Sequence, residues 1–267
     1  QFANSSIGMG GIPGGDAGGV VAVVGDGVTA FKPGDRVLVS TGLGFNMTGC
    51  YAEKVCRKAE NLLSLPEGVS FAAAAAIGVP YATAHYALFA RGGAQAGEAV
   101  FIHGASGSVG TAAIQLAKRA GMTVIGSGGS ARRRDLILAE GADHAVDHTA
   151  AGYQEEIGRL TGGRGPELVL EMLANVNLAA DMELVAKYGR IIVIGNRGEI
   201  TVNARRAMMK ELDIRGIALW NANAALIRQI MADIVTWLAD GSLRPIVGRE
   251  MPLAEAAAAH VAVLEPG

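Results

Sequence analysis

Short apolar runs alternate with amphipathic segments from about residue 99 to residue 220, and this alternation constrains the fold of the chain more than any other feature. The apolar runs are "AVFIHG", "MTVIGSG", "ADHAVDH", "PELVLEML", "RIIVIG" and "DIRGIALW". Gly121, Gly141 and Gly189 stand where three of the intervening helices would end. Strands that alternate with helices in this way are typical of a parallel sheet covered by helices on both faces. We therefore predict a doubly wound α/β domain.

The first turn of this pattern carries glycines of the kind that bind a dinucleotide. In "VFIHGASGSVGTAAIQLAKRAG" a strand, a small-residue turn and a helix follow one another, as a G-x-G-x-x-G loop requires. Ala105 takes the first glycine position. Gly107 would let the backbone approach a pyrophosphate at the helix N-terminus, and Gly110 would let helix and strand pack closely. The turn predicts a Rossmann cofactor loop, with a plain tight turn as the alternative.

Two other phosphate or catalytic loops do not match this turn. A P-loop needs a lysine before Ser or Thr, and this turn contains no lysine. A hydrolase nucleophile elbow needs a glycine on both sides of the nucleophilic serine. Ser106 has Gly104 before it but Ser108 after it, so the elbow is excluded.

The end of the second predicted strand, in "TVIGSGGSARRRD", indicates which dinucleotide is bound. Domains that bind NAD usually place Asp or Glu here to accept hydrogen bonds from the ribose 2′-hydroxyl. This chain has Gly128, Gly129 and Ser130 instead, followed by Arg132–Arg134. Arginine pairs with phosphate, and basic residues at a helix N-terminus oppose the helix dipole unless an anion is bound. The turn predicts NADPH; a solvated basic helical turn is the alternative.

The remaining strands also end in small or polar residues, at Asp147-His148, Ala174–Asn177 and Gly195–Gly198. Ligands of an open α/β sheet lie outside the carboxyl ends of its strands. We therefore expect Asn177 and Asn196 to hydrogen-bond the cofactor, Gly195 to allow its approach and Arg197 to add positive charge. The next helix is expected in "LAADMELVAKYG", after Asn177.

The sequence before this domain has a different pattern of residues. Residues 18–65 contain short β-rich runs separated by Gly and Pro, which predicts a barrel-like antiparallel region. From residue 69 an alanine-rich helical stretch follows, interrupted at Pro80. The segment "ALIRQIMADIVTWLADG" near the end reads as an amphipathic helix.

Composition and charge exclude several classes of protein. With 50% hydrophobic and 18% charged residues among 267, disorder is not expected. The net charge of −2 argues against general nucleic-acid binding, and no run reaches the roughly 18 apolar residues of a membrane span. Cys50 and Cys56 are too few for a disulfide scaffold or a four-cysteine zinc lobe. We expect a cytoplasmic protein without a metal.

Several stretches together resemble one family: "VGDGVTAFKPGDRV", "YAE", "AAAIGVPYATAHYAL", "GASGSVG", "EMLANVNL" and "GRIIVIGNRGEITVN". In this order, over essentially the whole chain, they are similar to the zeta-crystallin or NADPH:quinone oxidoreductase branch of the medium-chain dehydrogenase/reductases. The resemblance implies a partial GroES-like catalytic domain at 1–75, a Rossmann domain at 76–220 and a return to the first domain at 221–267. It also implies further residues before Gln1 and after Gly267.

The resemblance, with the turns described above, assigns the cofactor contacts. Ser106, Gly107, Ser108, Val109 and Gly110 are expected at the pyrophosphate; Gly129, Ser130, Arg132, Arg133 and Arg134 at the 2′-phosphate; His148 and Asn177 on the adenosine side; and Ile194, Gly195, Asn196, Arg197, Ile217, Ala218 and Leu219 toward the nicotinamide. Thr83 and Tyr81 are the candidates for the substrate site. The loop in "STGLGFNMTGCYAE" is longer than is usual in the family.

We expect the histidines that could act as acids or bases to have structural roles. His85 and His260 are expected to pack within helices, and His103 is expected to serve the backbone before the cofactor loop. We find no paired-carboxylate motif and no Ser–His–Asp arrangement, which is typical of a reductase whose cofactor carries the chemistry.

The resemblance implies an NADPH-dependent, zinc-independent reductase of quinones. Two alternatives stay open: an enoyl or alkenal double-bond reductase, and a non-catalytic NADPH-binding protein with a structural or RNA-binding role. The run "DIRGIALW" at the sheet edge predicts pairing with a second copy, hence a homodimer. The resemblance implies a dimer or a tetramer.

Overall fold

The computed structural model describes residues 11–39 and 49–264. These residues form two compact units, the described parts of Gln1–Val79 with Ala224–Gly267, and Pro80–Asn223. Most of the loop in "STGLGFNMTGCYAE" lies outside the described residues. None of the helices in the described ranges has the length and hydropathy that a membrane crossing requires.

The first unit contains a three-stranded antiparallel sheet, as the β-rich sequence predicted. Its strands are β1 (Ala17–Val20), β2 (Arg36–Val39) and β3 (Leu62–Ser64), in the order β1-β2-β3, with a 3-10 turn at Ala59–Asn61. Helix α1 (Phe71–Ala75) begins at Ser70, whose Oγ accepts a hydrogen bond from the N–H of Ala73 at 3.0 Å. A Cβ on Gly18 would lie 2.6 Å from Cβ of Ala74, so β1 and α1 pack closely.

The helical stretch that follows is interrupted before Gly78, and not at Pro80 as predicted. Helix α2 (Gly78–His85) is separated from α1 by Ala76 and Ile77, and a π-helical turn (Tyr86–Arg91) continues it. Pro80 lies in the first turn of α2, where its missing N–H has no intrahelical partner to lose. Pro80 therefore starts a helix instead of interrupting one.

The second unit is a six-stranded, fully parallel sheet with helices between its strands, as predicted. The strands are β4 (Ala99–Ile102), β5 (Thr123–Ser127), β6 (His144–Val146), β7 (Leu168–Glu171), β8 (Arg190–Val193) and β9 (Asp213–Gly216). The helices are α3 (Ser108–Arg119), α4 (Ala131–Ala139), α5 (Tyr153–Leu160), α6 (Ala174–Leu184) and α7 (Ala204–Lys210). The spatial order β6-β5-β4-β7-β8-β9 reverses direction between β4 and β7. Ligands of such sheets bind at this reversal.

One row of side chains forms the core on one face of this sheet. The parallel register places Phe101 of β4 beside Ile125 of β5 and Val169 of β7, and Val169 beside Ile191 of β8. All four are fully buried, and Met182 of α6 packs on them. The nearly continuous apolar runs of these strands therefore build the buried surface that carries the helices.

Two of the three glycines expected at helix ends are confirmed. Gly121 and Gly141 follow α3 and α4 with φ of +75° and +103°. The prediction for Gly189 was wrong, because α6 ends at Leu184 and Val185 is already extended. Tyr188, one residue before Gly189, takes the left-handed conformation at φ +63°.

The predicted start of α6 was also wrong. The helix begins at Ala174, so "ANVN" forms its first turn and not a loop before it. The N–H of Ala174 donates to the carbonyl of Gly195 at 2.9 Å. The turn after β8 therefore determines where α6 starts, and this contact between distant segments is invisible in the local sequence.

The last part of the chain contains α8 (Ala224–Ala239), a 3-10 turn (Leu253–Glu255) and α9 (Ala256–Ala262). The buried residues of α8 are Ile227, Ile230, Met231, Ile234 and Leu238. Their spacing of three and four residues is one apolar stripe, which confirms the amphipathic helix expected there.

Candidate functional site

The predicted cofactor residues of the second unit gather at one side of the parallel sheet. They follow the carboxyl ends of β4, β5, β6, β8 and β9 or lie in the first turns of α3, α4 and α6. We call this set the strand-end surface: residues 104–110, 128–134, 147–148, 173–177, 194–198 and 217–219. Thr83 and Tyr81 are not part of it, since they lie on α2.

The glycine loop of the strand-end surface is a tight turn anchored on β5. Gly104 adopts φ +53°, and its carbonyl accepts from the N–H of Gly107 at 2.9 Å. Its own N–H donates to Ser127 Oγ at 3.2 Å, and the N–H of Ala105 donates to the Ser127 carbonyl at 3.1 Å. Helix α3 then starts at Gly107 without a side-chain cap, so its first N–H groups stay available to an anion.

A Cβ added at Gly107 and one added at Gly110 would have different surroundings. A Cβ on Gly110 would lie 2.6 Å from Cα of Ala105, so only glycine lets α3 approach the loop. A Cβ on Gly107 would meet only the Gly104 carbonyl, at 3.3 Å. The space over Gly107 is therefore open except toward the Gly104 carbonyl.

The turn after β5 brings Gly129, Ser130 and His148 together. Ser130 caps α4, since its Oγ accepts from the N–H of Arg133 at 3.4 Å. The ring of His148 packs over Gly129, where an added Cβ would lie 3.1 Å from Cε1. Residues 127–130 contain no acid, so nothing in this turn repels a 2′-phosphate.

The three arginines of α4 have different environments. Arg134 Nη1 lies 2.7 Å from Asp147 Oδ2 and donates to the Gly128 carbonyl at 3.2 Å. Hydrogen bonds from Thr149, together with Arg134, hold the pKa of Asp147 below its usual value. Arg132 is exposed and Arg133 half-buried at the helix start. Arg134 thus joins the ends of β5 and β6, whereas Arg132 and Arg133 lie in the first turn of α4.

The segment after β8 is held by the turn after β7. The N–H groups of Ile194 and Gly195 donate to the Glu171 carbonyl at 2.8 and 3.3 Å. A Cβ on Gly195 would lie 2.3 Å from the Met172 carbonyl, so glycine is required there by the protein itself. The N–H of Arg197 donates to Asn175 Oδ1 at 2.9 Å.

The remaining residues that were predicted to contact the cofactor are hydrogen-bonded within the protein or are buried. Asn196 Nδ2 donates to the Gly198 carbonyl at 2.7 Å, and Asn177 Nδ2 donates to Glu171 Oε1 at 3.2 Å. The N–H of Ile217, one residue after β9, donates to the Val193 carbonyl at 3.0 Å, and Leu219 is buried. The amide of Asn177 is therefore directed at a protein carboxyl.

Tyr81 and Thr83, the candidates for the substrate site, are buried. Tyr81 Oη donates to Gln115 Oε1 at 3.0 Å, and Gln115 Nε2 donates to Glu140 Oε2 at 2.7 Å. Burial raises the pKa of the Tyr81 phenol, and the nearby Glu140 adds to this. The hydroxyl of Tyr81 is thus directed at α3, while Thr83 keeps 8% of its surface exposed.

A buried cluster of one histidine and two carboxyls was missed by the sequence reasoning. His103 Nε2 lies 2.7 Å from Asp181 Oδ1 and 3.1 Å from Glu171 Oε2, and all three residues are buried. The role assigned to His103 was therefore incomplete, and two carboxyls meet beside it although no sequence motif pairs them. The available signal was Glu171 itself, an acid at the end of the otherwise apolar "LVLE". We call these three residues the His–carboxyl cluster.

Burial controls the protonation of this cluster. It raises the pKa of Glu171 to about 7, with Asp181 as a further cause, and raises that of Asp181 to about 6. Burial lowers the pKa of His103, against the pull of Glu171. Since water is excluded, the charged forms lose hydration that their neighbours only partly replace.

Comparison with known proteins identifies the family to which this architecture belongs. A model of the GroES-like domain of alcohol dehydrogenases matches residues 3–67, and a model of the zinc-binding dehydrogenases matches residues 108–237. The human quinone oxidoreductase is 39% identical over 248 residues, which cover 93% of this chain and 74% of the human protein.

Solved structures agree with the sequence comparison. The Escherichia coli quinone oxidoreductase complexed with NADPH superposes with a TM-score of 0.80 and 26% identity, covering 94% of this chain and 78% of that one. An NAD-dependent alcohol dehydrogenase superposes with a TM-score of 0.87 and 31% identity, covering 96% and 80%.

A Rossmann domain joined to a GroES-like domain defines the medium-chain dehydrogenase/reductases, oxidoreductases that bind a nicotinamide dinucleotide. The glycine loop and the strand-end surface are the features of that class in this chain. Within it, the chain belongs to the quinone oxidoreductase, or zeta-crystallin, branch. The family expected from the sequence is confirmed.

Proposed function

We propose that this chain reduces quinones with NADPH. The observation that carries the cofactor choice is the turn after β5, which has no acid and leads into Arg132 and Arg133 at the start of α4. The identity to proteins named quinone oxidoreductases supports the substrate class.

The residues of the strand-end surface bind and orient the cofactor. The first N–H groups of α3 receive the diphosphate over Gly107, and Arg132 and Arg133 receive the 2′-phosphate. Gly195 and Asn196 form the wall toward the nicotinamide. When bound, NADPH supplies the reducing equivalents for the substrate.

The protein needs no strong acid for this reaction, because a reduced quinone oxygen takes its proton from water or a weak donor. Thr83 is the hydroxyl we assign to this task. Tyr81 is set aside, since its hydroxyl already donates to Gln115 Oε1.

The reaction should not depend on zinc. Cys50 and Cys56 are the only cysteines of the chain, too few for a four-cysteine zinc lobe. So few cysteines also suit the cytoplasm, where we place the protein. Exhaustive dialysis against 1,10-phenanthroline is expected to leave the rate of NADPH oxidation unchanged; loss of activity that zinc restores would contradict this.

The first test is the steady-state oxidation of NADPH and, separately, of NADH, with an ortho-quinone and with an α,β-unsaturated ketone. Fast quinone turnover with a strong preference for NADPH is the expected result. Turnover of the ketone alone would move the chain to the enoyl or alkenal reductases. Binding of NADPH without turnover of either substrate would favour a non-catalytic role, and equal use of NADH would contradict the role of the arginines.

A further inference from the structure

The His–carboxyl cluster lies at the point where the strand order of the sheet reverses. His103 directly follows β4 and precedes Gly104 of the glycine loop, while Glu171 ends the neighbouring β7. The N–H of His103 donates to the Leu170 carbonyl at 3.1 Å, which continues the pairing of the two strands. Asp181 reaches the pair from α6. The cluster therefore joins the two halves of the Rossmann unit beneath the strand-end surface.

Glu171 contacts residues in three segments that follow strands of the parallel sheet. Its Oε2 faces His103, next to the glycine loop. Its Oε1 accepts from the N–H of Leu173 and from Asn177 Nδ2, in the first turn of α6. Its backbone carbonyl accepts from Ile194 and Gly195, after β8. One side chain and its own peptide thus link the loop after β4 to the segments after β7 and β8.

The distances within the His–carboxyl cluster fit hydrogen bonds and not the coordination of a metal ion. Within the described ranges it is the one group of three potential metal ligands. However, Nε2 and Oδ1 lie 2.7 Å apart, a hydrogen-bond distance. Two ligands at ~2.1 Å from one tetrahedral cation would be about 3.4 Å apart.

Two oxygens of the cluster lack a hydrogen-bond donor. Glu171 Oε2 and Asp181 Oδ2 have no hydrogen-bond partner among the described residues, although both are buried. The two carboxyl groups are near enough to share a hydrogen bond. A proton held on one of them supplies the missing donor and removes one of two adjacent buried charges.

Among the residues that the structure describes, His103 is the one cationic group that acts on the pair. The titratable groups that face Glu171 are His103 from β4 and Asp181 from α6, with Tyr153 from α5 close to both carboxyls. Burial and then Asp181 raise the pKa of the Tyr153 phenol, so this residue stays neutral near pH 7. Loss of a proton from the carboxyl pair therefore places an extra negative charge below the surface that receives an anionic cofactor.

We propose that Glu171 is a positioning residue for the cofactor, and that the proton it shares with His103 and Asp181 must be present for NADPH to bind tightly. The inference rests on the proposed function, because it takes NADPH as the ligand of the strand-end surface. In the protonated cluster the segments after β4, β7 and β8 keep their connections without net repulsion. When the cluster loses this proton, the two carboxylates repel each other and the phosphates of the cofactor. Because NADPH then binds best to the protonated cluster, its binding above the pKa of the cluster is accompanied by uptake of a proton.

The test compares the NADPH affinity of the wild type with that of Glu171→Gln from pH 6.5 to 8.5, measured by the fluorescence of bound NADPH. Glutamine keeps an oxygen to accept from Leu173 and does not titrate. Glu167→Gln is the matched control, because Glu167 lies at the opposite end of β7, where Oε2 accepts from the N–H of Ala99 at 2.8 Å. The titration of the cofactor's own 2′-phosphate affects all variants and cancels in ratios.

The wild type is expected to lose affinity relative to Glu171→Gln as the pH rises, by about 3- to 20-fold across this range, since only the protonated fraction binds tightly. Glu167→Gln should follow the wild type. Calorimetry at pH 7.5 in two buffers of different ionisation enthalpy should show more proton uptake on NADPH binding by the wild type than by Glu171→Gln. Asp181→Asn should flatten the profile in the same way if Glu171→Gln does not fold.

A constant affinity ratio at all pH values would overturn the inference and leave the proposed function intact, since the role of Glu171 would then be structural only. Failure of the wild type to bind NADPH at any pH would reject the proposed function, and this inference with it. One equivalent of bound metal in the wild type that is lost in Glu171→Gln would also overturn it.

Discussion

Arg132, Arg133 and Arg134 are adjacent in sequence but not equivalent in the structure. Arg134 is paired with Asp147, so its charge is already balanced within the protein. Arg132 and Arg133 stand at the N-terminus of α4, where their charges oppose the helix dipole. The preference for a 2′-phosphate should therefore depend on the first two arginines.

The double variant Arg132→Ala/Arg133→Ala is expected to lower kcat/KM for NADPH about tenfold or more and to leave kcat/KM for NADH nearly unchanged. A charge-assisted hydrogen bond to phosphate contributes roughly 1.5–3 kcal/mol, which sets this magnitude. Arg159→Ala, an exposed change on α5, is the control and should affect neither cofactor. An equal loss with both cofactors would remove the arginines from the 2′-phosphate site.

Glu171 and Asp181 should make the protein less stable as the pH rises. Their pKa values are raised by folding, from 4.5 to about 7 and from 3.8 to about 6. A group with a raised pKa contributes stability below its unfolded value, and that contribution disappears as the pH passes its folded value. His103, whose pKa is lowered, acts in the opposite direction below about pH 6.5, the usual value for histidine.

Urea unfolding of the wild type and of Glu171→Gln at pH 5.5, 7 and 8.5 measures this effect. The free energy of unfolding of Glu171→Gln should rise relative to the wild type between the first and the last pH. Glu155→Gln, on the exposed side of α5, should show no such trend. Parallel profiles for the wild type and Glu171→Gln would show that Glu171 titrates as it does in the unfolded chain.

At the scale of helices and strands, the close approach of α4 to the sheet depends on one glycine of β5. A Cβ on Gly126 would lie 2.6 Å from Ile137 Cγ2 and 2.7 Å from Ala105 Cβ. Gly126→Ala is expected to lower the free energy of unfolding by about 1–3 kcal/mol through overpacking. Gly158→Ala, in α5 with no atom within 4 Å of the added Cβ, should instead raise it by about 0.4–1 kcal/mol. Chemical denaturation distinguishes the two, and equal effects would contradict the packing argument.

The order of strands and helices could be predicted because it depends on local apolar periodicity and on glycines such as Gly121 and Gly141. The boundaries of α6 could not, since the carbonyl of Gly195 fixes its start from the turn after β8. The glycine loop was readable for the same local reason. The His–carboxyl cluster was not, because Asp181 lies 78 residues after His103 and no short motif connects them.

At the scale of the whole molecule, the lateral edge of the sheet at β9 is the surface that favours a second copy. Among the strands that the structure describes, β8 is the one partner of β9. Ile214 is 41% exposed, and Trp220 beyond the strand is 65% exposed. Such an edge pairs readily with another strand, and a two-fold axis would extend the sheet.

Ile214→Lys is expected to shift the protein from dimer to monomer, because a charge on an edge strand opposes pairing. Light scattering would then give a mass near the 27.3 kDa of one chain. Met209→Lys, on α7 with 58% of the side chain exposed, is the control and should remain dimeric. A wild type that is already monomeric would reject the predicted interface.

The Rossmann unit is continuous in sequence, whereas the other unit is made of two segments that flank it. During synthesis, residues 80–223 can therefore complete their own contacts as soon as Asn223 has left the ribosome. The segment before Pro80 must wait for α8 and the residues after it, on the order of ten seconds at ribosomal rates. We expect the nascent chain to expose the apolar side of its first segment during this interval, which makes that segment the part of the molecule most dependent on chaperones.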